Sequence, residues 1–95
     1  MVTYKLVFRQ DAYKEWQRLD ATIKHQFKKK LIGRLKTPKV ASARLNGMKN
    51  CYKIKLRSAG YRLVYEVRDS EVIVSVVAVG KRDRNQVYNI AIKRI

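Results

Sequence analysis

The stretch from Cys51 to Val79 constrains the fold of this chain more than any other. Tyr52, Ile54 and Leu56 alternate without a break with Lys53, Lys55 and Arg57, which is the period of a strand with one face on the core. Ser58-Ala59-Gly60 supplies a compact turn, and Tyr61, Leu63, Tyr65 and Val67 then alternate with Arg62, Val64 and Glu66. The two runs make a hairpin. Arg68-Asp69-Ser70 turns the chain again into Glu71 to Val79, where the near-continuous Val and Ile content suits a central strand covered on both faces. Gly80 closes this antiparallel meander.

What precedes the meander is a strand and two helices. Thr3 to Arg9 alternates, with Tyr4, Leu6 and Phe8 on one side. Asp11 reads as a helix N-cap, with Ala12, Trp16 and Leu19 at helical spacing behind it. After a break at Asp20 to Thr22, Ile23, Phe27, Leu31 and Leu35 lay an apolar stripe along a longer helix that ends before Pro38. The two form a helical hairpin. Lys39 to Asn50, with Asn46-Gly47 inside it, is a connecting loop with one helical turn at Ala41 to Leu45. Past the charged loop Lys81 to Arg84, a C-terminal helix has two stripes to choose from: Val87, Ile90, Ala91 and Arg94, or Tyr88, Ile92 and Ile95. The order βααβββα predicts an α+β fold, a small antiparallel sheet packed by an N-terminal helical hairpin and a C-terminal helix. At 95 residues the expectation is a single domain spanning 1–95.

Charge then bounds the function. Lys and Arg number 23 against 7 Asp and Glu, a formal charge of +16, which does nothing for fold stability and calls for an anionic partner. Nucleic acid, an acidic protein and an acidic membrane surface all answer to it. The longest apolar run, Val72 to Val79 broken only by Ser75, is far short of the roughly 20 residues that cross a bilayer, and Met1 to Gln10 has no apolar block of the signal-peptide kind. A cytoplasmic address without a membrane partner is expected. Cys51 is the only cysteine and His25 the only histidine, the latter phased to the solvent side of its helix with Lys29 and Lys36. The carboxylates Asp11, Glu15, Asp20, Glu66, Asp69, Glu71 and Asp83 are scattered, so neither a metal site nor a two-histidine acid/base pair is expected, and no phosphate loop or nucleophile elbow implies a cofactor or a serine hydrolase.

The informative surface is the polar face of the hairpin. Side chains two apart on a strand share a face, so Lys53, Lys55 and Arg57 form a row, and Arg62 joins it across a regular hairpin. Like charges brought together repel, and a bound anion explains such a row better than stability does, although any single lysine reads equally well as edge protection. Arg82 follows the third strand of the meander, and Tyr88 lies six residues beyond it. Cleavage of an RNA phosphodiester requires removal of the 2′-OH proton, stabilisation of charge on the non-bridging oxygens, and a proton or its electrostatic substitute at the 5′-leaving oxygen. Lys and Arg meet the second need, and a phenol made more acidic by surrounding cations meets the first.

The run Cys51-Tyr52-Lys53-Ile54-Lys55-Leu56-Arg57-Ser58-Ala59-Gly60-Tyr61-Arg62-Leu63-Val64-Tyr65, with Val79-Gly80-Lys81-Arg82-Asp83-Arg84 and Val87-Tyr88, closely resembles the RelE toxins of bacterial type II toxin–antitoxin pairs, in the RelE/ParE superfamily. The resemblance extends through Lys14-Glu15-Trp16, Lys28-Lys29-Lys30-Leu31 and Lys93-Arg94-Ile95. It implies a microbial-RNase-like fold and a metal-independent mRNA endonuclease acting in the A site of the 70S ribosome. By position it implies Tyr88 as general base, Arg82 as general acid or leaving-group stabiliser, Lys55 and Arg62 as transition-state stabilisers, and Lys53 as the neighbouring lysine of that site. One position departs from the family: Asn46 stands where relatives carry Arg between Leu and Gly, and Arg44 is the nearest substitute.

The resemblance also implies a cognate RelB-like antitoxin, acidic or carrying an acidic segment that folds on contact. Lys28, Lys29, Lys30, Arg44, Arg57, Lys81 and Arg84 are the expected contacts to rRNA and mRNA, with His25 and Lys36 on the same helix as further docking candidates. Two rival functions share the charge and the fold: a ParE-like inhibitor of DNA gyrase that cuts no RNA, and a basic RNA- or ribosome-binding module without catalysis.

Overall fold

The alternating runs pair as their patterns require. The computed structural model describes residues 3–81 and 86–95. In chain order these form β1 (Lys5–Phe8), α1 (Gln10–Gln17), α2 (Ala21–Lys36), one 3-10 turn (Ala41–Ala43), β2 (Cys51–Leu56), β3 (Tyr61–Arg68), β4 (Ile73–Lys81) and α3 (Gln86–Arg94). The sheet order is β1-β4-β3-β2. The meander β2-β3-β4 is antiparallel, but β1 joins β4 in parallel, so the sheet is mixed rather than wholly antiparallel. The helical hairpin is the reason, because it carries the chain away from β1 over one face and delivers β2 to the far edge of the sheet.

Each face has its own core. Tyr52, Ile54, Leu56, Leu63, Tyr65, Val67, Val74, Val76 and Val79 lie under Ala12 and Trp16 of α1 and Ile23, Phe27 and Leu31 of α2. Cys51, Val64, Val77 and Ala78 meet Val87 and Ala91 of α3 on the other face, with Leu45 and Met48 from the loop. β4 can serve both because its register against β3 slips between Val64 and Tyr65. Val77 and Ala78, adjacent in the chain, therefore both belong to the α3-side core, with Val76 and Val79 on the other side. This local bulge puts two adjacent apolar residues of β4 into the same core.

Several boundaries differ from expectation. α1 starts one residue before Asp11, and its N-cap is Arg9, in extended conformation; Asp11 sits in the first turn, where its charge opposes the positive helix end. β4 begins at Ile73 and runs through Gly80 to Lys81, because Arg62 pairs with Gly80 and Tyr61 with Lys81. The β2–β3 turn closes on a bond from the Gly60 N–H to the Leu56 carbonyl, with Gly60 at φ +70°, a conformation that favours glycine. Of the two stripes open to α3, the one with Val87, Ala91 and Arg94 faces inward, and Ile92 and Ile95 are exposed.

Candidate active site

Lys55 and Arg62 are direct partners in the β2–β3 ladder, and Lys53 lies opposite Val64. All belong to the sheet face that α3 covers, since Val64 packs in the core beneath that helix. The strength of the arrangement is that like charges are held together by pairing they did not choose. Lys55 is pulled below the ordinary lysine pKa by the charge of Lys53 first, then by burial and by Arg62. A surface that makes the Lys55 ammonium more acidic is short of an anion.

α3 delivers the phenol to this face. The Arg62 guanidinium carbon sits 5.1 Å from the centroid of the Tyr88 ring, a cation–π contact. The Tyr88 hydroxyl oxygen is shielded from solvent, with the Arg62 guanidinium as its polar neighbour. Burial raises its pKa above that of an ordinary tyrosine, and Arg62 offsets only part of the rise. This reverses the expectation that the cations would make the phenol more acidic. One guanidinium over the ring does not outweigh the packing of Tyr88 against the α3-side core.

The strand carrying the lysines is anchored from behind. β2 is a sheet edge, and two of its carbonyls are capped from α2: Lys30 Nζ donates to Lys55 O at 3.0 Å, and an Arg34 guanidinium nitrogen donates to Lys53 O at 3.3 Å. The spacings match, because four helical residues rise about 6 Å and two strand residues about 6.6 Å. Arg34 also donates to the Tyr65 hydroxyl at 2.8 Å, and that hydroxyl donates to Pro38 O at 2.6 Å. Arg34 was invisible to sequence reasoning, since on a helix rich in Lys and Arg it reads as one more solvated cation. Its one signal is the four-residue spacing from Lys30, which makes sense only once β2 is known to be an edge.

The remaining residues singled out by sequence disperse around this centre. Arg57 is exposed at the end of β2 and shares a cleft with Lys55, Gly60, Tyr61 and Arg62. It also lines a second groove with Gln26, Lys29, Lys30 and Ser58. Lys28, Lys29 and His25 are exposed on α2, as is Lys36 at its end, and Lys81 is exposed at the end of β4. Arg44 bridges to Tyr52, which puts it on the α2 side of the sheet, away from the row of Lys53, Lys55 and Arg62. It lines one groove with Leu45, Asn46, Gly47, Met48 and Lys49. Arg82 and Arg84 lie outside the described residues. Among the described residues no group of three or more His, Cys, Asp or Glu side chains comes together, and no helix is long and apolar enough to cross a membrane. Cys51 is buried, its thiol pushed up to about 11 first by burial and then by the Glu66 carboxylate.

Known proteins share this fold. The family model for the ParE toxin of type II toxin–antitoxin systems matches residues 6–86. The mRNA interferase toxin RelE of Escherichia coli K12 is 52% identical over 94 residues, covering 99% of both chains. A solved structure of a mutant E. coli toxin RelE in the free state superposes with a TM-score of 0.90 at 50% identity, over 98% of each chain. A mutant E. coli RelE in complex with an antitoxin RelB peptide matches with a TM-score of 0.83 at 50% identity, covering 100% of this chain and 99% of that one. With a family model matched over most of its length and a RelE toxin more than half identical to it, this chain belongs to the RelE/ParE family of type II toxin–antitoxin toxins.

Proposed function

We propose that this protein is an endoribonuclease of the mRNA interferase kind, cutting mRNA in the A site of the ribosome. The observation that carries the proposal is the meeting of Lys55, Arg62 and Tyr88 on one sheet face, with cations paired across the hairpin and a partly buried phenol stacked on one of them. In this reading the Tyr88 phenolate takes the 2′-OH proton, the 2′-oxygen attacks phosphorus, and the bond from phosphorus to the 5′-oxygen breaks. Lys53, Lys55 and Arg62 hold the charge that builds on the non-bridging oxygens, and Arg82 either protonates the leaving 5′-oxygen or stabilises it until water supplies the proton. The products are a 2′,3′-cyclic phosphate and a 5′-hydroxyl.

The reading extends to partners. A RelB-type antitoxin is supported by the RelE relatives solved with RelB. A negatively charged segment suits a surface of formal charge +16. Ribosomal RNA is the second polyanion, with Lys28, Lys29 and Arg57 among its contacts, and the site of action is cytoplasmic. The competing activity is the ParE-like one set against it from the sequence, gyrase inhibition without RNA cleavage, and the matched family model is that of a ParE toxin. Incubation with programmed ribosomes and mapping of the message ends separates the two. New 5′-hydroxyl ends within A-site codons are expected, with EDTA leaving cleavage unaffected apart from its effect on the ribosome. Intact message beside inhibited gyrase would overturn the proposal in favour of its rival, and intact message without gyrase inhibition would leave a binding module.

A further inference from the structure

α3 carries the proposed base but has few apolar means of staying in place. Its fully inward residues are Val87 and Ala91, both small, with Tyr88 and Ile90 only partly buried beside them, while Ile92 is 50% exposed and Ile95, just past its end, 46%. Residues 87, 91 and 94 fall on one helical stripe, and its third member is Arg94. Arg94 forms a two-pronged pair with Glu15 of α1, at 2.8 Å to Oε1 and 3.2 Å to Oε2. The same guanidinium donates to Val77 O at 2.8 Å, and Glu15 Oε1 accepts the Val79 N–H at 3.3 Å. Arg9 donates to the Arg94 carbonyl at 2.6 Å.

The location of this pair explains it. β1 is paired with β4 only from Ile73 to Val76. The β4 backbone groups just beyond, at Val77 and Val79, are the ones taken by Arg94 and Glu15. An ion pair thus continues the sheet where β1 stops, and both members are held by the backbone as well as by each other. A pair of this kind is directional, which small apolar contacts are not.

We propose that the Glu15–Arg94 pair is a lock that sets the pose of α3, and through it the placement of Tyr88 over Arg62. Glu15 and Arg94 are positioning residues, bonded to each other and to the β4 backbone. The inference rests on the reading of Tyr88 as the base, and its test keeps the two apart. Single-turnover cleavage on programmed ribosomes is measured for Glu15→Gln and Arg94→Lys, each with Tyr88 intact and in a Tyr88→Phe background, and amide exchange across α3 is followed in the same proteins. With Tyr88 intact, Glu15→Gln should slow cleavage at saturating toxin by about tenfold or more, with the half-saturating concentration changed less than about twofold. In the Tyr88→Phe background the same substitution should alter the residual rate by less than about twofold. Exchange in α3 should quicken by about tenfold while β3 and β4 stay protected. Arg94→Lys, which keeps the charge but loses the fork, should give the same pattern at smaller amplitude. Equal losses in both backgrounds, or unchanged α3 exchange, would overturn the lock. If the wild-type protein cuts no message, the functional reading falls, and the lock is decided by exchange alone: faster α3 exchange in Glu15→Gln upholds it and unchanged exchange removes it.

Discussion

Tyr88 is asked to be a base while its surroundings hold its proton on. Burial lifts the phenol above its ordinary value of 10.0, with Arg62 opposing, so at neutral pH only a small fraction is phenolate. Because the ionised form is the active one, single-turnover cleavage should rise about tenfold per pH unit through neutrality, and Tyr88→Phe should both flatten that slope and cost about 10²–10⁴ in rate. A flat profile in the wild type would move the proton to another group. The sign for stability is the opposite. The folded state prefers the neutral phenol, so the contribution is complete below the ordinary tyrosine pKa and is lost as pH rises through the higher folded value. Val72 poses a simpler residue-scale question. It enters β4 at φ +56°, a conformation that disfavours a β-branched side chain. Left-handed backbone costs a non-glycine residue roughly 1–2 kcal/mol, and the entropy of glycine returns about half of that. Val72→Gly should therefore raise stability by about 0.5–1 kcal/mol, read as a higher urea midpoint with an unchanged slope.

At the scale of elements, the site depends on an edge strand that another element has closed. Lys30 and Arg34 cap the outward carbonyls of β2 at the two residues whose side chains form the cation row. Arg34→Leu would remove the donor from Lys53 O and from the Tyr65 hydroxyl, so a loss of about 1–3 kcal/mol is expected, with cleavage falling further than in Lys28→Ala, at an exposed position of α2. Equal activity in the two variants would mean that β2 holds its own register. These elements also mark what the sequence could show. The β2–β3 hairpin was legible because period-two alternation is unbroken there, and the Lys55–Arg62 pairing followed from it. The bulge in β4 was not, because every residue from Val76 to Val79 is apolar and a slip of one leaves no mark on such a run. The parallel pairing of β1 is a property of the connection and not of the strand. The choice of stripe on α3 was open for a related reason: Arg94 turns inward because of Glu15, 79 positions away in the chain.

For the whole molecule, the formal charge of +16 was plain in the sequence, but its division of labour was not. Lys30 and Arg34 spend their charge on β2 carbonyls, Arg94 on Glu15, and Arg68 on Glu66 and Glu71, so these cations stabilise the fold or its edges. Lys28, Lys29 and Arg57 are exposed beside or along the grooves next to the cation row, where phosphates can reach them. If ribosome binding is carried by such exposed cations, the logarithm of the association constant should fall linearly with the logarithm of salt concentration, at about 0.7–0.9 per phosphate neutralised. Each of Lys28→Gln, Lys29→Gln and Arg57→Gln should then make that slope shallower by about one and weaken binding to all messages alike. Lys55→Gln and Arg62→Gln should instead reduce cleavage far more than binding, since their charge is matched to the phosphate only as it approaches the transition state. A slope that is unchanged by the exposed-cation substitutions and collapses on losing Lys55 would show that the toxin is held on the ribosome by its active site alone, and that the basic flank of α2 serves another polyanion.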